Sequence, residues 1–505
     1  MRARLILATA LATAVTCAVA ASGAAADSGT TLPATPSFQV GVQLTSGAQL
    51  APGLFFTDPH QLVDDVVTGP EIIDNQGRVV WYDPLPAGES ASNFQVQSYH
   101  GRPALTWWQG SGDNPAFGAF APGIGQGEDV IMNDHYQIIK TIPATSDFSP
   151  DTHEFYITPQ GNALITGYRT VPNVDLTSIG GSADGTVIDS VAREVNIDTG
   201  KVLLDWSALA HVPITNSYAL PLFGNSPWDF FHINSISPAP DGNLLISSRH
   251  TSALYDINPR TGNIVWILGG KQSSFTLGPD VAFAWQHDSR FVSRDEIQLF
   301  DDEEGAPFPA TGSESRAIWL HLDYGTHTAT LVRQIVQPSD QPETGSQGSV
   351  QSLPDGNVIV GWGSSGTFSE YDAAGNLLLD DSLPPPTGTV TLPNGQTVPN
   401  AWSTYRVFKE QWTGQPSTPP AAAVQPASAD QWTVSAAWNG ATELSRWLVL
   451  AGRDRFDLRP VALTAWNGLI TPISITGNNI RYVRVIALDK QDHPIGASET
   501  IPTGT

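Results

Sequence analysis

The chain has 505 residues, 40 % of them hydrophobic, with 24 basic against 49 acidic side chains and a formal charge of −25. That length and apolar content are enough for a large core and more than one domain, and they exclude a disordered chain. The acidic balance excludes a surface built for nucleic acid, which needs a basic face for the phosphates; an anionic small substrate would require a locally cationic pocket.

Residues 1–26, MRARLILATALATAVTCAVAASGAAA, begin with Arg2 and Arg4, continue as an Ala-rich apolar run and end on small residues at Ala26, the pattern of a secretory signal peptide. The single cysteine, Cys17, lies inside that segment. Cleavage after Ala26 would leave a mature chain without disulfides, thiolate metal sites or a cysteine nucleophile. No later segment reads as membrane-spanning. The expectation is a secreted, extracellular protein with no membrane insertion in its mature form.

The body alternates short Val/Ile/Leu runs with Gly, Asn, Asp and Pro, with almost no helical periodicity, and reads as all-β and antiparallel. Three segments repeat one hairpin: FYITPQGNALIT (155–166), SISPAPDGNLLIS (235–247) and VQSLPDGNVIVG (350–361). A second pattern closes outer hairpins: IIDNQGRVVW (72–81), VNIDTGKVLLDW (195–206), YDINPRTGNIVW (255–266) and YDAAGNLLLD (371–380). Hairpins repeated at this size predict propeller blades. Counting back nine residues from the position after each turn glycine reaches His153, Asn234 and Gly348. Asn93 and His287 fit the same frame, and Asn400 fits the spacing without the turn. The intervals of 60, 81, 53, 61 and 52 residues are blade-sized. They predict a six-bladed β-propeller over 27–412, a Pro/Ala-rich linker over 413–430 and a C-terminal β-sandwich of fibronectin or Ig-like type over 431–505.

Equivalent inner positions converge on the central channel of a propeller, so this register gathers Asn93, His153, Asn234, His287 and Asn400. His232 shares a strand face with Asn234. Arg249 reaches back across the same hairpin, and strand alternation turns His250 the other way. His493 lies in a polar turn and reads as surface. The aromatic candidates for a channel rim are Trp107, Trp108, Trp228 and Trp285, each with blade packing as its simpler explanation. A single histidine on such a strand is most simply a satisfied core residue, but several at matched positions with an arginine form a site. Three histidines could hold zinc, although Arg249 would oppose a cation there. Imidazole, amide and guanidinium together suit a sulfuryl or phosphoryl group, with donors on the non-bridging oxygens and one free imidazole attacking in line. That chemistry needs no cofactor. The run FDDEEG (300–305) could suggest calcium, and reads more simply as a solvated loop.

At these residues the sequence resembles the secreted arylsulfotransferases of the arylsulfate sulfotransferase type, which do not use the nucleotide sulfate donor. The resemblance rests on WDFFHINSIS, LLISSRHTSALYDINPRTGNIVWILGG, FAWQHDSR and DTHEF, and extends over nearly the whole mature chain. It implies a six-bladed propeller that moves a sulfuryl group from an aryl sulfate to a phenol by a ping-pong mechanism through a sulfohistidine. It further implies His287 as nucleophile, His232 and Asn234 binding the sulfuryl oxygens, Arg249 as their cationic partner and His153 as a further channel histidine. The better-known enzymes of this type carry a separate N-terminal β-domain and a disulfide; the present chain looks more like the actinobacterial or fungal branch. An imidazole nucleophile predicts a rate that falls on acidification.

Two other classes compete. A quinoprotein dehydrogenase shares the DTGKVLLDW and RTGNIVW patterns, but its eight blades exceed the available length. A non-enzymatic secreted propeller that binds glycan, cell wall or protein would have the same fold, and differs in needing no nucleophile beside anion donors. A hydrolase variant, with water discharging the sulfohistidine, stays open, and oligomeric state is not legible.

Overall fold

The computed structural model describes residues 31–504 apart from 62–65, 113–122, 222–226, 303–313, 339–343, 387, 392–396 and 429; the signal sequence read over 1–26 lies outside the described residues. The protein is all-β. The three repeated turns close the hairpins expected of them. Tyr156 faces Leu164, Ser237 faces Leu245 and Gln351 faces Ile359 across antiparallel strands. Their turn residues Gly161, Gly242 and Gly356 all sit at positive φ (77°, 90° and 95°), which a residue with a side chain adopts only at a cost.

Among the described residues, the chain from 41 to 410 forms six sheets of four or five strands. Four run outward from their first strand: Ser90–Tyr99 to Ile138–Ile142, Pro150–Ile157 to Val202–Ser207, Ile233–Pro238 to Ile264–Gly269, and His287–Phe291 to Thr328–Val336. The fifth, Ser349–Ser352 to Leu377–Ser382, takes Gly41–Leu44 onto its outer edge. The sixth, made of Leu54–Thr57, Glu71–Ile73 and Val79–Tyr82, takes Phe408–Glu410 as its first strand. The first strands of successive sheets pack on one another. Aromatic layers fill the space between sheets. Trp81, Phe94 and Trp107 are buried together, with Trp81 stacked on Phe94 at 5.6 Å.

Beyond residue 412 two further sheets share one core of Trp432, Val434, Trp447, Val449, Ile473, Val483 and Val485. One of their strands, Ala421–Pro426, lies inside the stretch read as linker and pairs with Gln431–Ala437. Its alternation Ala422, Val424 was masked by the surrounding prolines and alanines, and Ala422 is fully buried. This unit is docked on the body: Asn439 Oδ1 accepts from Tyr82 N–H at 3.0 Å, and Tyr136 Oη donates to Gly440 O at 2.7 Å. No described helix is long and apolar enough to cross a membrane.

Several carboxyls are buried. Burial pushes Glu71 up to about 8 and Asp256 to about 7, while Asp381, buried and beside Asp380, rises to about 8. A carboxyl with a raised folded pKa gives stability that is present below its unfolded pKa and lost as pH rises to the folded value. The melting temperature should therefore increase as pH is lowered from about 8.5 to about 6.5, below which buried neutral histidines begin to oppose the gain. Thermal denaturation across that interval checks this; a melting temperature that falls instead counts against these carboxyls being buried.

Candidate active site

The nine-residue register lands on a shared irregularity in four inner strands. Each shifts register against its neighbour at one place: between Ser92 and Gln95, Pro150 and Phe155, Ile233 and Ser235, and His287 and Arg290. The extra residues are Asn93, the 151–154 stretch, Asn234 and the Asp288 segment. A bulge of this kind re-aims side chains and ends regular pairing. Asn93 (φ 60°), His232 (53°) and Asp288 (48°) take left-handed backbone at or beside these bulges, a conformation that Asn, Asp and His adopt more readily than most residues.

Three histidines converge there. The His153 and His232 rings meet edge to face at 4.9 Å, and the Tyr405 ring lies 5.6 Å from His153 and 6.5 Å from His287. Each imidazole is held by a carboxylate on Nδ1: His153 by both oxygens of Asp151 (2.8 and 3.0 Å), His232 by Asp229 (2.5 Å) and His287 by Asp302 (2.6 Å). Burial, reinforced by His153 and Arg249, holds His232 well below the ordinary imidazole range. Burial with Arg249, His153, His232 and Arg406 does the same for His287. Both rings are therefore neutral near pH 7, protonated on the nitrogen that faces the carboxylate. Arg249 anchors to the histidine segment through its backbone N–H on His232 O (2.9 Å). Its guanidinium donates to Gly345 O at 3.1 Å and stacks over Trp285 at 4.6 Å.

Several expectations are corrected. His250 does not face away: its ring lies 4.8 Å from His232, and its Nδ1–H donates to Asp229 O at 2.7 Å. The strand ends at Ser248, so alternation no longer governs the turn that follows. Burial lowers the His250 pKa to about 3. From the last inner stretch it is Tyr405 and Arg406, not Asn400, that reach the cluster; the backbone N–H of Asn400 donates to Gly388 O instead. The run FDDEEG is not simply a solvated loop. Phe300, Asp301 and Asp302 are buried, Asp301 on Arg316 and Asp302 on His287; residues 303–305 lie outside the described residues. Trp107, Trp108 and Trp228 are buried packing residues, and Trp285 supports Arg249.

Asn234 is fully buried, its Nδ2 donating to Gln286 O at 2.6 Å, while its Oδ1 has no hydrogen-bond partner among the described residues. Asn93 stands one layer below. There Arg406, fully buried, donates to Asn93 Oδ1 (2.9 Å), Glu154 (3.1 Å) and Asn234 O (2.9 Å), and lies 3.5 Å from Asp288. Arg290 pairs with both Glu154 (2.6 Å) and Asp288 (2.9 Å), completing a floor of two cations and two anions. Among the described residues Asp229, His232 and His250 offer ligand atoms within 4.8 Å of one another, as a metal site would. The 2.5 Å between His232 Nδ1 and Asp229 is, however, a hydrogen-bond length. It is shorter than the roughly 3.3 Å that separates two ligands on a tetrahedral ion with bonds near 2 Å. The donor set instead presents neutral imidazoles beside a guanidinium, which suits an oxyanion rather than a cation.

A family model described as arylsulfotransferase (ASST) matches residues 95–383, more than half the chain and all of His153, His232, Asn234, Arg249 and His287. No curated protein matches the chain. Among solved structures, a protein of unknown function from Bacteroides caccae is similar at 13 % identity and a TM-score of 0.38, over 71 % of this chain and 98 % of that one. A virginiamycin B lyase from Staphylococcus aureus is similar at 11 % identity and a TM-score of 0.32, over 80 % and 97 %. Likeness at that level bears on neither chemistry nor detailed fold.

Removing one member of the buried charge floor leaves its partners uncompensated. Arg406→Met should destabilise the protein by about 3–5 kcal/mol in urea unfolding, and a loss under about 1 kcal/mol would show that the floor does not hold the inner strands.

Proposed function

The chain belongs to the arylsulfotransferase (ASST) family and is a sulfotransferase enzyme, and on that premise we propose that it passes a sulfuryl group from an aryl sulfate ester to a phenol in two half-reactions through a sulfohistidine at His287. The observation that carries this reading is the meeting of three carboxylate-held imidazoles with Arg249. In the first half-reaction the Nε2 lone pair of His287 attacks sulfur, the sulfur–aryl oxygen bond breaks and the phenolate leaves with its electron pair. In the second, an acceptor phenol gives up its proton, its oxygen attacks sulfur and the nitrogen–sulfur bond breaks, restoring the imidazole.

Arg249 neutralises charge on the sulfuryl oxygens, and Asn234, anchored on Gln286 O, has a second amide N–H for them. His232 and His153 present their Nε2 atoms, which take the proton of the acceptor and return it to a poorly leaving phenolate. The arriving sulfate is itself an anion, so its charge offsets the burial and cations that hold the His232 ring low and makes that ring a better base than in the empty site. We read the six sheets as blades of one propeller over 27–412 with the site in its channel, and the terminal sheets as a β-sandwich that begins at Ala421 rather than at 431. Residues 1–26 are read as the leader that sends the protein out of the cell.

Mixing the purified protein with 4-nitrophenyl sulfate, with and without phenol, should give phenol-dependent nitrophenol release and a sulfuryl adduct on the native chain, and neither with His287→Ala. Release that ignores phenol would point to hydrolysis, and release by His287→Ala at the native rate would remove His287 as nucleophile. Because the ring is held neutral by burial and neighbouring cations, kcat/KM should stay level as pH falls from about 8 through 6.5, with its acid limb displaced below the ordinary imidazole value. An acid limb centred at 6.5 in a pH–rate profile would contradict that environment.

A further inference from the structure

The His287 ring is engaged on both nitrogens, and the two contacts agree on where its proton sits. Asp302 Oδ2 lies 2.6 Å from Nδ1, and the backbone N–H of Gln347 donates to Nε2 at 3.3 Å. A carboxylate accepts and a backbone N–H donates, so the proton is on Nδ1 and the lone pair on Nε2. Both partners are held firmly. Asp302 is 2 % exposed, and its own carbonyl accepts from Ser315 Oγ at 2.9 Å. Gln347 sits at φ 71° in a segment fixed by its neighbours. Gly345 O accepts from Arg249, and Gly348 at φ 102° packs so closely that a Cβ there would stand 2.5 Å from the Phe300 ring.

We infer that Asp302 is the positioning residue that fixes His287 as the Nδ1–H tautomer, keeping Nε2 as the attacking atom and stabilising the ring as it gains charge. This rests on the sulfohistidine reading above. As the nitrogen–sulfur bond forms, the Nε2 lone pair is consumed, the Nδ1 proton stays facing Asp302, and the positive charge that develops on the ring is met by the carboxylate. The Gln347 N–H loses its acceptor in the same step, and the incoming sulfuryl oxygens are the new acceptors beside it. Among the described residues, the other charged or titratable groups that act on or touch the ring are Arg249, Arg406, His153, His232 and Tyr405. None of the four cationic or imidazole groups can replace an anion at Nδ1.

The test uses the full chain with 15N-labelled histidine, comparing the native protein with Asp302→Asn and Asp302→Glu. In the native protein the nitrogen shifts of His287 should report a neutral ring protonated on Nδ1. Asp302→Asn should disturb that tautomer and slow the nitrophenol burst by about 10²–10⁴-fold, with KM for the aryl sulfate changed far less, as when the carboxylate behind a catalytic imidazole is neutralised. Asp302→Glu, which keeps the charge, should recover part of the loss. A native His287 protonated on Nε2 overturns the inference even if the Asn variant does not fold. So does an unchanged tautomer with an unchanged burst in Asp302→Asn. Absence of any sulfuryl adduct on native His287 sinks the sulfohistidine reading instead, while the nitrogen shifts still decide whether Asp302 sets the tautomer.

Discussion

Arg406 has no contact with water, and the structure depends on what that requires. A buried guanidinium must be matched by anions and by acceptors for its five N–H groups, or it costs several kcal/mol. Here the matching groups come from four different sheets: Asn93, Glu154, the Asn234 carbonyl and Asp288. Its Nη groups bond to three inner strands, while Nε, with no hydrogen-bond partner among the described residues, faces Asp288 of a fourth at 3.5 Å, so one side chain ties four inner strands together. Their bulges, in turn, lift His153, Asn234 and His287 above this layer. The histidines inherit their alignment from a charge network whose Arg406 also helps to hold His287 neutral.

Local partners explain how strained backbone survives. Left-handed conformations at residues with side chains cost on the order of 1–3 kcal/mol each and persist only where the surroundings over-determine them. His232 is fixed by its N–H on Asp229 Oδ1 at 3.0 Å, and Asp288 by Val350 N–H at 3.1 Å. Trp285, at φ 59°, lies under the Arg249 guanidinium. The candidate site lies where regular pairing stops, while the ordinary ladders outside it supply the rigidity.

Much of this was readable in the chain because the hairpin repeat marks a fixed distance from turn to inner position. His153, Asn234 and His287 were found by counting, and the counted places turned out to be the bulges. What escaped detection did so for physical reasons. Asp151 and Asp229 precede their histidines by two and three residues, spacings that carry no signal of their own among the chain's many aspartates. Asp302 follows directly on the end of the next strand, two residues beyond the Phe300 that pairs with His287, so only the register brings it to the ring. His250 lies past the end of its strand at Ser248, where period-two alternation no longer sets the direction of a side chain. Arg406 and Tyr405 follow no turn, so the frame selected Asn400. In the stretch read as linker, prolines on both sides concealed a strand.

The sixth sheet borrows its first strand from Phe408–Glu410 and the fifth borrows its last from Gly41–Leu44. The two ends of the body therefore interlock, each completing a sheet that otherwise belongs to the opposite end of the chain. Pairing of Phe56 with Phe408 joins residues more than 350 positions apart, contacts of the slowest kind to form because so long a loop must close. During vectorial synthesis the edge of Leu54–Thr57 stays uncovered until nearly the whole body has emerged, an open template for strand addition in the meantime. The last sheet is thus completed late, and the candidate site, where Tyr405 and Arg406 bond to the Asn234 carbonyl, is assembled only when the last part of the body arrives.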